Sequence, residues 1–220
     1  MNDLSDSEIS SAIEPYGVAC TEQLCDRIRS YISLLLKWNR AISLTAVTDI
    51  GEILRFHIGE SLLALSQLPV ENCRLADVGS GAGLPGIPLA MARPDLDVSL
   101  IESNGKKFAF LSEAIRDLDL KNARAIHARM EGVESDRFEV VTARAIGQSE
   151  DLLKWSSRTL VEEGRIILWL GEREANRLYR APGWDWTTKE IPGSQRRVLL
   201  IGSLGTFVSS ESRSTVPRGT

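Results

Sequence analysis

The chain lacks several things, and each lack narrows what it can be. No apolar run in its 220 residues approaches the length that spans a bilayer. The opening stretch, M-N-D-L-S-D-S-E, has no basic-then-apolar export signal, so a cytoplasmic protein is expected. Cysteine is scarce: Cys20, Cys25 and Cys73 are odd in number and match no metal-binding spacing, and all three are expected to stay reduced. With only two histidines, His57 and His127, a histidine-rich metal site is not expected. Positive charge is not in excess either. Lysine and arginine total 26 against 30 acids, a net charge of −4. That argues against broad, non-specific nucleic-acid binding and leaves room for a local basic patch.

What is present is ordinary in bulk, 43% hydrophobic and 25% charged, enough for one substantial core. The informative stretch is Leu75–Met91, L-A-D-V-G-S-G-A-G-L-P-G-I-P-L-A-M. A short apolar run leads into Gly79, Gly81 and Gly83, and an apolar helical segment follows. Strand, glycine turn and helix N-terminus together let a backbone press against a nucleotide-like ligand. The spacing is G-x-G-x-G, preceded by Asp77. Leu84 stands where a dinucleotide fingerprint needs its third glycine, and the phosphate-loop pattern is absent. An acid-flanked turn suits S-adenosylmethionine, which carries no phosphate, better than a pyrophosphate. The stretch points to a methyltransferase.

Residues 1–70 are expected to form a helical extension, with helices near Asp3–Pro15, Thr21–Ala41 and Asp49–Leu68 whose apolar stripes read as core. From Arg74 short β-like runs alternate with amphipathic helices. Strands are expected at Arg74–Val78, Val98–Glu102, Arg124–His127, Glu139–Ala143 and Arg165–Leu170. Helices fall at about Pro85–Ala92, Asn104–Leu118, Ser149–Leu160 and Glu172–Leu178. Two further β-rich runs, Trp184–Ile191 and Arg196–Ile201, flank Pro192-Gly193-Ser194 as a hairpin. The expected fold is α/β: a mainly parallel seven-stranded Rossmann-like sheet with helices on both faces, the class I methyltransferase architecture. The corresponding boundaries are 1–70 for the helical extension, 71–202 for the methyltransferase domain and 203–220 for a Ser/Thr/Gly-rich tail expected to be unstructured.

Ligands in such folds sit outside the carboxyl ends of the parallel strands. Glu102 ends the second strand about 20 residues beyond the turn, where an acid can accept hydrogen bonds from ribose hydroxyls. After the third strand come Met130, able to lie against an adenine face, and Glu131, near its amino edge. After the fourth comes Arg144, where the transferring methyl and a target base would meet. Lys106, Lys107, Arg196 and Arg197 are candidate RNA phosphate contacts.

Together these residues resemble the glucose-inhibited division protein B family, bacterial methyltransferases of guanine N7 in small-subunit ribosomal RNA. The resemblance covers about residues 20–202. Its most specific piece is D-V-G-S-G-A-G-L-P-G-I-P-L-A, from Asp77 to Ala90. It is supported by K-W-N at 37–39, S-L-T at 43–45, H-I-G-E-S at 57–61, L-I-E-S-N-G-K-K-F-A-F-L at 100–111 and A-R-A at 143–145. The resemblance implies S-adenosylmethionine as cofactor, with Gly79, Leu84, Met130, Glu131 and Arg144 among its contacts, and Asp77, Gly81, Gly83 and Glu102 completing the set read from the motif. It implies ribosomal RNA or an assembling small subunit as partner; a monomer is expected. Three positions depart from the family pattern: Ser43 replaces asparagine, Glu60 replaces aspartate, and Leu170 replaces a lysine before Gly171. Guanine N7 carries a free lone pair, so the reaction needs positioning rather than a general base. Two other readings stay open: a methyltransferase of the same fold with another RNA or small-molecule target, and a cofactor-binding module without catalysis.

Overall fold

The computed structural model describes residues 4–71, 73–133, 136–144, 147 and 149–205. The helical third begins with α1 (Asp6–Ile13), where Ser5 and Glu8 form a reciprocal capping box. A 3-10 turn carrying Pro15 follows and stops at Gly17, whose φ is 79°. Helix α2 (Glu22–Asn39) starts at Thr21, whose Oγ1 accepts the Leu24 N–H at 3.2 Å. The expected third helix is not uniform. It opens as α3 (Ile50–Glu52), widens into a π-helix over Ile53–Gly59, returns as α4 (Glu60–Leu62) and tightens to 3-10 over Leu63–Gln67.

Beyond it the strands are β1 (Arg74–Val78), β2 (Asp97–Glu102), β3 (Ala123–His127), β4 (Phe138–Arg144), β5 (Leu160–Gly171), β6 (Trp184–Glu190) and β7 (Arg197–Leu204). They form one seven-stranded sheet in the order β3-β2-β1-β4-β5-β7-β6. Strands β1 to β5 pair in parallel, and β7 inserts antiparallel between β5 and β6. Helices α5 (Gly86–Ala92), α6 (Gly105–Asp117), α7 (Ser149–Thr159) and α8 (Glu172–Leu178) complete the alternation. The expected class I methyltransferase architecture is what the sheet shows. Several boundaries move, most of them by a residue or two; β5 starts at Leu160 instead of Arg165, taking Leu160 from α7, and β7 runs on through Ser203 and Leu204. The rest of the expected tail, from residue 206 on, lies outside the described residues.

The sheet is covered on both faces. One core joins Leu75, Leu100, Ile167 and Leu199 of the strands to α5, α6 and the N-terminal helices through Ile9, Ile13, Ile28 and Leu35. The other packs Val78, Ile101, Val141 and Leu168 under α7 and α8, with Trp155 almost wholly buried. The N-terminal third is therefore built onto the sheet. Among the described residues no helix is long and apolar enough to cross a membrane, and no group of His, Cys, Asp and Glu could hold a metal ion.

The expectation of three free thiols holds only for Cys73, which is buried, with its thiol pushed up to about 11 by that burial. Cys20 and Cys25 are joined as a disulfide. The start of α2 folds the chain back on itself there, bringing their Cα atoms to 6.1 Å, within bridging reach.

Candidate active site

The site begins where β1 stops. Gly79, Gly81 and Gly83 all adopt left-handed φ, at 68°, 56° and 83°, a region costly for other residues. The turn lies over the end of β2, with the Gly79 and Ser80 N–H groups both donating to the Ile101 carbonyl. Two carboxylates hold it. Asp77 is fully buried beneath; its Oδ2 accepts the Gly86 N–H at 3.2 Å and its Oδ1 the Thr142 hydroxyl at 3.0 Å. Burial pushes this carboxyl up to about 6 against those hydrogen bonds. Glu102 holds the turn from the side, accepting the Gly81 N–H at 2.9 Å on Oε2 and the Asn104 N–H at 2.7 Å on Oε1.

Beside the turn is a cleft of about 380 Å³ lined by Val78, Gly79, Ile101, Ser103, Ala128, Arg129, Met130 and Glu131. Its walls are apolar at Ile101 and Met130 and polar at the rim, which fits an adenosine-like group. Each Glu102 oxygen retains acceptor capacity beyond its backbone bond. Of the predicted cofactor residues, Gly79, Met130 and Glu131 line this cleft, and Gly81 is tied to its edge through Glu102. Asp77, Gly83 and Leu84 lie behind. Asp77 is a fastener with no exposed surface, and a Cβ at Gly83 would come within 2.3 Å of Ile87. Leu84 packs into the core, joined to Pro85 by a cis peptide.

On the other side of β1 the register pairs Val78 with Ala143, which sets Arg144 at the next position of β4. Its Nη2 donates to Glu60 Oε2 at 3.0 Å. Glu60, 1% exposed, also takes a two-pronged contact from Arg197, at 3.1 and 2.6 Å. Burial pushes the Glu60 carboxyl up, against the pull of both arginines. Arg197 lies 5.5 Å from the centroid of the Phe56 ring, and Trp169 Nε1 donates to the Glu60 carbonyl. Arg144 Nη1 is buried without a partner.

This cluster gathers motif pieces far apart in sequence. Asn39 accepts the Leu44 and Thr45 N–H groups, and Thr45 Oγ1 lies 2.7 Å from His57 Nε2. His57 is pushed down to about 4 by burial, and by Arg144, so the ring is neutral near pH 7. His57, Glu60 and Ser61 stand at i, i+3 and i+4, so one helix face carries all three, and all are buried. Sequence reasoning missed Glu60 as a site residue. Its only signal was its place in H-I-G-E-S. Arg197, expected on RNA phosphates, is instead committed to Glu60.

The remaining predicted RNA contacts are not brought together. Lys106 and Lys107 open α6, where their N–H groups donate to the Asn104 side chain. Arg196 is exposed just before β7, its carbonyl accepting the N–H of Glu172, the first residue of α8. Leu170 is buried opposite Val198 in the α7–α8 core. Ala145 of the A-R-A segment lies outside the described residues.

The profile of GidB, rRNA small subunit methyltransferase G, matches residues 24–187. A Ribosomal RNA small subunit methyltransferase G of Neisseria meningitidis is 38% identical over 199 residues, 88% of this chain and 96% of that one. Its counterpart in Halorhodospira halophila is 37% identical over 174 residues, 79% and 82% of the two chains. Among solved structures, a ribosomal protein L11 methylase of Lactobacillus delbrueckii superposes with a TM-score of 0.57 at 14% identity, covering 68% of this chain and 79% of its own. That likeness speaks for the fold alone. Sequence, sheet and motifs agree: the chain belongs to the small-subunit ribosomal RNA methyltransferase G family.

Proposed function

We propose that this chain transfers a methyl group from S-adenosylmethionine to N7 of a guanine in small-subunit ribosomal RNA. The observation that carries the reading is the juxtaposition across β1 of an adenosine-sized cleft and the buried Glu60–Arg144–Arg197 cluster. The family supplies the reaction class and the cofactor.

Within this reading Ile101 and Met130 would hold the adenine, Glu131 would lie near its amino edge, and Glu102 would accept from the ribose while keeping the turn closed. When bound, the cofactor supplies a sulfonium-activated methyl group for in-line attack by the N7 lone pair. N7 needs no deprotonation, which agrees with His57 being neutral and bonded to Thr45 rather than open to substrate. The chain's work is to orient the base and exclude water. Arg144, held by Glu60, stands where the base must arrive and is the residue we assign to positioning it.

The test is transfer of labelled methyl from S-adenosylmethionine to small-subunit particles lacking N7 methylation, with mapping of the modified base. Label at a guanine N7 is expected. Label elsewhere would redirect the reading to another target, and cofactor binding without transfer would make the chain a binding module.

A further inference from the structure

The first strand half of the sheet edge, β3-β2-β1, carries the cofactor cleft, so a nucleic-acid strand that presents a base beside Arg144 has to continue over the other half. On that half, α8 and the glycines Gly147 and Gly171 bound a concavity of about 1050 Å³, open at the surface and lined also by Arg173, Glu174, Asn176, Arg177 and Arg180. Several arginines in this acidic chain are paired: Arg29, Arg74, Arg93, Arg116 and Arg124 all meet carboxylates. Arg177 is likewise tied, its Nη2 donating to Ser149 Oγ at 2.7 Å and Glu174 Oε1 at 2.8 Å, which fixes the shelf against α7. Arg173 and Arg180 are exposed and meet no acid among the described residues, and neighbouring Arg196 is the same.

Arg173 stands in the first turn of α8 and Arg180 in the turn that follows its end, and both line the same concavity. Two free guanidinium forks on one concavity suit phosphates of one strand. Beside Arg180 is Tyr179, 53% exposed, one of two large hydrophobic side chains left open among the described residues. Guanidinium groups in a groove, with an exposed ring adjacent in the chain, are features that single-stranded RNA recognition uses.

We propose that the α8 shelf is the docking face for an unpaired strand of ribosomal RNA, with Arg173 and Arg180 as phosphate contacts and Tyr179 as a stacking surface. The proposal rests on the reading that the chain methylates this RNA, and it assigns the contact to a face other than the one carrying Lys106 and Lys107.

The experiment compares the full chain with Arg173→Gln/Arg180→Gln and with Lys106→Gln/Lys107→Gln. It uses filter binding to naked small-subunit ribosomal RNA across a salt series, KM for unmethylated particles, and cofactor affinity by calorimetry. The shelf variant is expected to bind RNA about tenfold more weakly at moderate salt, with a salt slope shallower by about 1.5 and cofactor affinity unchanged. Tyr179→Ala should weaken binding without changing the slope. Unchanged binding and slope in the shelf variant, or a loss confined to the lysine variant, would overturn the proposal. So would a loss seen with particles but not with naked RNA, which would assign the shelf to an acidic ribosomal protein. Absence of methyl transfer by the unaltered chain would count against the enzymatic reading, while the RNA-binding arms would still decide the shelf.

Discussion

Glu60 is one carboxylate shared by two guanidinium groups in a nearly closed environment. Removing it would leave both cations facing each other without a counter-charge, the arrangement in which deleting one partner of a buried pair is most costly. Glu60→Ala is expected to lower stability by about 3–5 kcal/mol in chemical denaturation. Glu60→Asp keeps the charge with a shorter reach, and is expected to retain most of the stability and any methyl transfer. His57 and Asp77 make opposed contributions with pH. His57, lowered from 6.5 to about 4, favours the folded state while neutral; that stability is present above pH 6.5 and is lost as pH falls toward 4. Asp77, raised from 3.8 to about 6, favours the folded state while protonated, so its contribution grows as pH falls from 6 toward 3.8. Replacing His57 with Gln removes the acid-side loss and leaves the Asp77 gain. The difference in melting temperature, variant minus parent, is expected to rise steadily from pH 6.5 to pH 4; a flat difference would refute the neutral, buried histidine.

The mixed α, π and 3-10 segment from Ile50 to Gln67 is the element that most shapes the site. From His57 to Ala64 every residue of it is buried, so that Glu60 meets Arg144 while Gly59 packs against Tyr16. A Cβ at Gly59 would fall 2.3 Å from Tyr16 Cε2, and the ring would have to move. Gly59→Ala is expected to cost about 1–3 kcal/mol as an overpacking change and to lower methyl transfer by disturbing Glu60. Thermal unfolding and single-turnover assays check the two halves separately. Strands β1 and β4 are simpler: each is nearly all buried, and their register alone places Arg144 beside the glycine turn.

At the scale of the molecule, the helical third and the sheet share one apolar core, and Tyr31 of α2 donates to the Ala82 carbonyl inside the glycine turn at 2.7 Å. The extension therefore braces the glycine turn from behind. Deleting residues 1–17 would strip Ile9, Ile13 and Tyr16 from that core. One cooperative calorimetric transition at a lower temperature is expected, with weaker cofactor binding. Two separate transitions would show that the helical third folds by itself.

The strand–turn–helix of residues 74–92, the alternation of elements and the hairpin around Pro192-Gly193-Ser194 were all legible from sequence. They rest on local chemistry: apolar runs, glycines that tolerate left-handed φ, and periodicity. Gly79, Met130, Glu131 and Arg144 were singled out because they lie at or just beyond strand ends, and strand ends define a sheet's ligand edge. Only the tertiary structure decided that Asp77 lies buried as a fastener, that Arg197 turns inward, and that Glu60 joins it to Arg144. The reason is sequence distance. Glu60 and Arg197 are far apart along the chain and meet because β7 inserts beside β5, whose Trp169 also donates to the Glu60 carbonyl. No local pattern encodes that meeting; packing does.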